Sequence, residues 1–468
     1  MARALGPNGE FVNDVHSQLN PTWVSEIVTR RSIQEVRVSI ERVRQSGEMM
    51  AISGGRHAMG AQQFATRATL IDTRRLDQVL DFDSDTGLIE VEAGIQWPEL
   101  MNFLATVQRG SAAPWTIAQK QTGADRFTLG GSLSSNIHGR GLTMRPIIGD
   151  VESFTLIDAQ GLSKRCSRTE NAQLFNLAIG GYGLFGVIIS VTLRLTRRRK
   201  TERMVELLDI EQLMAAFEQR ITAGFSYGDF QFAIDEKSPD FMRKGVFSCY
   251  RPMNDNSAIA DSQHSLSTGD WQRLLTLAHI DKSAAFKQYS DYYLSTSGQH
   301  YWSGTQQLSV YLDDYHRTLD TILGHRGSEV ITEIYVPRGR LADFMSEAGD
   351  EFRNSQANLI YGTVRLIERD DESFLPWAKD NYACVIFNLH TPHSEPGQQH
   401  CATVFRSLID MAIVRGGSFY LTYHKLATKE QVLACYPQFG EFLSWKKFYD
   451  PEERFQSDWY RHYRQLFI

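Results

Sequence analysis

A histidine inside a glycine-rich turn is the first candidate for chemistry. The turn reads Ser53-Gly54-Gly55-Arg56-His57-Ala58-Met59-Gly60 and follows the apolar run Met49 to Ile52. Glycines let backbone amides approach a phosphate closely, because no Cβ stands in the way. The turn itself has no need of a histidine, so His57 calls for an explanation. Two further glycine-bearing loops follow. One runs Thr128-Leu129-Gly130-Gly131-Ser132-Leu133-Ser134-Ser135-Asn136-Ile137-His138-Gly139-Arg140-Gly141, and the other runs from Gly180 to Gly186. A dinucleotide requires donors around its pyrophosphate, room for a flat ring and an apolar slot, which three loops gathered by a sheet supply. Gly181, Gly183 and Gly186 match the letters of the fingerprint G-x-G-x-x-G. Their loop follows a helical segment and precedes a strand, which argues against a nicotinamide-type Rossmann site.

The elements that must carry these loops read as alternating helices and strands. Ser32-Ile33-Gln34-Glu35 looks like a capping box, and Ile33, Val36, Ile40 and Val43 recur at helical spacing until Gly47. The spacing then predicts a strand over 49–52, a second ending at Asp72 and a third over 88–93, with Pro98 in the first turn of a helix over 97–106. Segments 151–157 and 162–166 flank a hairpin loop, a helix falls near 171–179, and a strand over 187–196 ends in Arg197-Arg198-Arg199-Lys200. That basic run reads as a solvated strand end and linker. From about Thr201 aromatics become dense, including Phe225, Tyr227, Phe230, Phe232, Phe247, Tyr250, Tyr292 and Tyr293, most of which are expected as ordinary core.

Composition bounds the function. A chain of 468 residues has room for two or three domain-sized units and a large core. The net charge of -6 and the lack of a basic stripe argue against nucleic-acid binding. The first 20 residues show no basic and then apolar signal-peptide pattern, and no run approaches the length of a membrane span. Cys166, Cys249, Cys384, Cys401 and Cys435 are scattered and never spaced as C-x-x-C, which suits reduced thiols in the cytoplasm and gives no support to a zinc or disulfide framework. No metal is expected, a small-molecule substrate is, and the oligomeric state is open.

The ordered set of motifs resembles the vanillyl-alcohol-oxidase flavoprotein superfamily, whose FAD domain is of the PCMH type. The similarity is carried by Ser53–Gly60, by L-I-D-T-R-R-L, V-E-A-G-I-Q-W-P-E-L and the Thr128–Gly141 loop, by Gly180–Ile188, and by the tail Tyr449-Asp450-Pro451-Glu452-Glu453-Arg454-Phe455-Gln456-Ser457-Asp458-Trp459. Within that superfamily the chain looks closest to decaprenylphosphoryl-ribose oxidase, alditol oxidase and the aldonolactone oxidases. D-Y-H-R-T-L-D, T-E-I-Y-V-P and G-G-S-F-Y-L add to this. The resemblance implies an α+β fold: an FAD-binding domain over 1–200 completed by 416–468, and an α+β substrate domain with an antiparallel sheet over 201–415. It implies FAD as cofactor, held by Ser53, Gly54, Gly55, Arg56, Ala58, Met59, Gly60, Gln62, Thr122, Gly123, Thr128, Gly130, Gly131, Ser134, Asn136, Gly139, Gly183, Gly186, Val187 and Ile188.

His57 matches the histidine that many members join to the flavin 8α-methyl, although the decaprenylphosphoryl-ribose oxidases lack it. Gln119-Lys120-Gln121-Thr122-Gly123 has no cysteine where the doubly linked berberine-bridge enzymes carry one, so a single covalent bond is expected. His138 resembles a residue lining the flavin; a structural role is the alternative. Glu333 and Arg365 resemble positions facing the flavin's reacting edge, and Tyr315 and His316 a loop pair near the substrate entrance. Phe419-Tyr420-Leu421-Thr422-Tyr423-His424-Lys425 resembles a strand bearing an active-site lysine. Tyr423 falls at the lysine position in an ungapped match, and His424 or Lys425 would replace it by a small shift.

Oxidation of an alcohol by a flavin requires loss of the hydroxyl proton and transfer of hydride from carbon to flavin N5. His424 has an ordinary range suited to a base, whereas Lys425 needs burial or a neighbouring cation to reach it. Arg365, Lys425 or His138 would stabilise the negative charge of the reduced ring, and Glu333 would orient a polyhydroxylated substrate. The expected function is an FAD-dependent oxidase or dehydrogenase acting on a CH–OH group of a sugar, polyol or lipid-linked sugar, with His57 as the covalent tether. The alternatives are a flavin-dependent carbon–carbon double-bond reductase of the sterol-reductase type and a non-catalytic flavin- or ligand-binding protein.

Overall fold

The glycine loops hang from a small parallel sheet. In the computed structural model, which describes residues 9–123, 125–253, 259, 263–310, 312 and 315–467, Thr69–Asp72 lies between Glu26–Thr29 and Met50–Ser53, all three parallel. Residues 1–8 of the N-terminal stretch and Asp314 of the D-Y-H-R-T-L-D motif lie outside the described residues. The helix Ile33–Ser46 is capped by Ser32, whose side chain accepts from the Glu35 amide, and ends at Gly47 with φ 74°. That helix buries Val36, Ile40 and Val43 in a cluster with Met50, Ile71, Val187 and Phe455. Phe455 is a tail residue. The tail rejoins the sheet through Met50, whose amide donates to the Arg454 carbonyl and whose carbonyl accepts from Gln456.

A five-stranded antiparallel sheet follows, in the order Ser163–Ser167, Val151–Ile157, Val187–Arg194, Leu88–Glu92, Val79–Asp83. The strand expected to run to Thr196 stops at Arg194, and Thr196–Arg197 pairs instead with Trp115–Thr116. The basic run is therefore not simply solvated. The Arg197 guanidinium sits 3.6 Å from the centre of the Trp115 ring and that of Arg198 4.3 Å from Trp302, because cations are drawn to aromatic faces.

The largest sheet has eight strands, all antiparallel: His300–Trp302, Lys200–Asp209, Lys244–Pro252, Tyr227–Phe232, Leu359–Ile367, Tyr382–Pro392, Gly327–Pro337 and Ser418–Phe419. It continues past residue 415 into Ser418–Phe419, and one hydrophobic core joins residues from Ile89 to Tyr463. One face packs on the helices Leu341–Ser355 and Glu395–Ile413 through residues such as Phe344, Phe387 and Phe405. Alternation along the strands turns every second residue to the opposite face. There Arg365 pairs with Cys384, Thr363 and Glu333 flank Ile386, Tyr361 and Ile331 flank Asn388, and Glu329 pairs with His390. No helix among the described residues is long and apolar enough to cross a membrane.

Candidate functional site

Two cavities meet. The first is a slot lined by Gly54, Gly55, Arg56, His57, Ala58 and Gln62 from the first loop, by Thr128, Gly130, Gly131 and Ser134 from the second, and by Gly183, Gly186 and Ile188 from the third. The second is a cavity of about 880 Å³ under the large sheet, which includes Thr122, Gly123 and Arg365 in its wall. His57, Gln121, Phe127 and Tyr423 line both, so a planar group in the slot would present one edge to the larger cavity.

The slot exists only with its glycines. A β-carbon on Gly54 would stand 2.0 Å from Thr128 Oγ1, and one on Gly55 2.5 Å from the Arg126 carbonyl. Arg56 adopts φ 61° in the same loop, a left-handed conformation that costs a non-glycine residue energy. It is held there by its ion pair with Asp72 at 3.1 Å. Gln62 donates to the carbonyls of Leu421 and Thr422, fastening the loop to the 420–424 segment. Arg56 Nε, a donor in the slot wall, is buried without a partner among the described residues. Such an atom costs about 1–3 kcal/mol unless a ligand bonds it. Ser53 lies outside both cavity walls. A cradle with no room for a Cβ on Gly54 or Gly55 and with an unmet donor fits the diphosphate of a dinucleotide.

Not every expected contact lines the slot. The amide of Gly60 is taken by Gln62 Oε1 and the Met59 carbonyl by Asn20. Asn136 spends its side chain on Asp370 and the Ile148 amide, the Gly139 amide on Gln119, and Val187 packs in the core. These residues shape the loops from behind.

Beneath the junction is a buried ion pair. Glu333 and His138, both 0% exposed, meet at 2.8 Å between Oε2 and Nε2. His138 Nδ1 faces the Gly139 carbonyl at 3.0 Å, so both ring nitrogens donate to oxygen and the ring carries the positive charge. Burial alone would raise the Glu333 carboxyl, but His138, then Arg365 and Tyr423, hold it down to about 2. Tyr335 and Tyr423 each donate to it at 2.8 Å. Glu333 thus lies below the cavity with its acceptor sites filled, and positions Tyr423 at the junction.

Arg365 is only 4% exposed, and its Nε and Nη1 lack partners among the described residues. Around the same cavity Arg140 Nε, Asp229 Oδ1, Gln231 Oε1, Gln306 and Asn388 Oδ1 are likewise buried and unpartnered. Apolar and aromatic side chains, among them Trp271, Phe286, Tyr292 and Tyr293, form much of the remaining wall. Tyr315 and His316 line it too, at the start of the helix Tyr315–Leu323.

The structure does not bring His424 or Lys425 to either cavity. His424 stacks against Phe405 and Phe419, its Nε2 lies 3.0 Å from Thr332 Oγ1, and burial pushes it down to about 3, so the ring is neutral. Lys425 is lowered by burial and faces Asp458. Of the three neighbouring candidates only Tyr423 reaches the junction, because the segment leaves regular strand geometry after Phe419.

His57 stands edge-on to Phe127 with ring centres 4.3 Å apart, and its Nδ1 is 2.8 Å from Nε2 of His16. Burial first, and then His16, lower it well below the ordinary imidazole range, which leaves a neutral ring. His16, Gln121, Asp229, Gln231 and Asn388 escaped sequence reasoning. Asn388 carried a signal, since it alternates with Cys384 and Ile386 on one strand, and so did Asp229 and Gln231, which alternate with Phe230 and Phe232 on Tyr227–Phe232.

Residues 24–167 match the family model described as an FAD binding domain. An uncharacterized oxidoreductase from the fasciation locus of Rhodococcoides fascians is 28% identical over 203 residues, 42% of this chain and 42% of that protein. Decaprenylphosphoryl-beta-D-ribose oxidase of Mycolicibacterium smegmatis is 23% identical over 416 residues, 85% of each chain. L-gulonolactone oxidase of Bos taurus is 30% identical over 164 residues, 35% of each chain. The chain thus aligns with less than half of the first and third of these relatives.

Proposed function

Because the chain is an FAD-binding oxidoreductase of the PCMH type, we propose that it oxidises a CH–OH group of a sugar-, polyol- or lipid-linked-sugar-type substrate with its flavin tethered through His57. The observation that carries this reading is the set of buried, unpartnered donors and acceptors around the larger cavity. Arg365 and Arg140 donate, and Asp229, Gln231 and Asn388 accept. A molecule bearing several hydroxyls satisfies both kinds at once, whereas a hydrocarbon leaves every one unmet. Two relatives whose names state a ribose or lactone substrate support the same class.

In this reading the Gly54–Ala58, Thr128–Ser134 and Gly183–Ile188 loops hold FAD, with residues 1–200 and 416–468 as its domain and 201–415 as the substrate domain. FAD, when bound, supplies the redox chemistry by accepting hydride from the carbon that bears the hydroxyl. The protein binds and orients. Tyr423 Oη, anchored by donation to Glu333, keeps a lone pair for the substrate hydroxyl at the junction. Arg365 places a fixed positive charge where negative charge develops, and Glu333, held down to about 2 and so ionised at neutral pH, fixes Tyr423. His57, neutral and edge-on at the junction, has the lone pair a carbon–nitrogen bond requires. The five buried free cysteines fit a reducing cytoplasm.

Anaerobic mixing with a panel of sugars, polyols and lactones tests the reading, and bleaching of the flavin by at least one is expected. Bleaching by NADPH alone, with reduction of an enone, would point to the double-bond reductase instead. For the tether, acid denaturation should leave the yellow colour in the pellet, and His57→Ala should release it to the supernatant. Colour released from the unmutated, flavin-loaded protein would refute the covalent bond.

A further inference from the structure

A second cluster of ionisable groups lies on the same strand face as Glu333 but belongs to no part of the reaction. Glu329 comes four residues earlier on Gly327–Pro337, about 13 Å away along the strand. Its Oε1 is 3.0 Å from His279 Nε2 and 3.2 Å from His390 Nδ1, while Tyr315 Oη donates to Oε2 at 2.6 Å. The side chains of Glu329, His279 and His390 are at most 4% exposed, and their ligand atoms lie within 4.8 Å of one another.

The outer nitrogens of these rings are already held. His279 Nδ1 is 2.8 Å from the Leu275 carbonyl, His390 Nε2 is 3.0 Å from His325 Nε2, and His325 Nδ1 is 3.2 Å from the Leu323 carbonyl. The inner nitrogens, His279 Nε2 and His390 Nδ1, both turn to the same carboxylate oxygen, Oε1, and His316 Nδ1 approaches the other oxygen at 3.3 Å.

We propose that His279, Glu329 and His390 bind one divalent transition-metal ion of the zinc type, at a site separate from the flavin. A single dication would sit between Glu329 Oε1 and the two nitrogens that face it, with the outer nitrogen of each ring left on its present partner. The separations of 3.0 and 3.2 Å are a few tenths of an ångström shorter than the roughly 3.3–3.6 Å between ligands about 2.0–2.2 Å from a tetrahedral ion, so a small outward shift of the side chains would seat it. The outer partners are those of metal-bound histidines: a backbone carbonyl fixes the His279 tautomer, and His325 with the Leu323 carbonyl fixes that of His390. The ligands come from the helix Thr268–Ile280 and two neighbouring strands, so the ion would pin that helix over the sheet at the far rim of the substrate cavity.

The flavin-loaded protein, stripped with a chelator and dialysed against Zn(II), is expected to retain one zinc per chain by elemental analysis. Cobalt(II) in its place should show the visible absorption of a low-symmetry nitrogen and oxygen site. Glu329→Gln is the decisive variant, because its amide supplies two N–H groups to His279 and His390 while its carbonyl accepts from Tyr315. It should fold and hold flavin as the parent does, yet bind zinc more weakly by roughly 100-fold or more, beyond the effect of losing an outer-shell partner. His390→Gln should behave likewise. Should either variant fail to fold, X-ray absorption of zinc in the unmutated protein must still show two imidazoles and no sulfur. Substoichiometric zinc in the parent, equal zinc in Glu329→Gln, or a thiolate in the absorption spectrum would each overturn the site.

Discussion

Glu333 and Glu329 share a strand, a face and burial, yet their surroundings are opposite. Around Glu333 the donors are sufficient: a charged His138, Tyr335 and Tyr423 all give protons to it. Around Glu329 two imidazole nitrogens converge on one carboxylate oxygen, and their outer nitrogens are held by a backbone carbonyl and by His325. A carboxylate met by one imidazole and two hydroxyls stabilises and positions. One on which two imidazoles converge has the donor set of a cation site. The number of nitrogens that share an oxygen, more than the residue types, separates a structural ion pair from a ligand set.

Glu333→Ala is the strongest way to break this contrast. It leaves the His138 charge buried and unpaired, and is expected to cost about 3–5 kcal/mol in denaturant unfolding. A loss under about 1 kcal/mol would mean that His138 was neutral and the pair not ionic.

Lowering the pH separates the buried groups next. His424 is held down to about 3 from 6.5 by burial, so the unfolded chain takes up its proton first; stability is full above about pH 6.5 and falls as the pH drops toward 3. Glu333, held to about 2 from 4.5, adds a second loss only between those values. Urea unfolding across this range should show two stages, with the first shallower in His424→Gln. An unchanged slope in that variant would place the early loss on other histidines.

The smallest expected effect is the most discriminating. Glu329→Gln in metal-free protein should change unfolding stability by less than about 0.5 kcal/mol or raise it, because the isosteric amide keeps its contacts with His279, His390 and Tyr315. A loss as large as that of Glu333→Ala would make the two ends of the strand alike.

Much of the flavin half was legible because its signals are local. The glycine loop around His57 and the Ser32 cap depend on neighbours within a few residues and form as expected, whereas the stretch after Thr128, expected as a loop, begins with the helix Leu129–Ser135. Arg365 was legible by resemblance and reaches the cavity through strand alternation. The tail was recognised, but its contact with Met50 is long-range and needed the fold. His424 misled because a free imidazole range suits a base, while three-dimensional packing against Phe405 and Phe419 removed it from the cavity. The Glu329 cluster left no pattern at all: His279, His325 and His390 are far apart in sequence, and only the sheet register and a crossing helix bring them together.

In the proposed reaction a hydroxyl-bearing carbon is oxidised beside Arg365. The most direct measurement is the anaerobic rate of flavin reduction by the best hydroxylated substrate, in the parent and in Arg365→Ala. Rapid bleaching is expected in the parent and a rate lower by about 10²–10³ in the variant, with flavin content unchanged. Equal rates, or no bleaching by any hydroxylated compound while NADPH reduces the flavin, would contradict it.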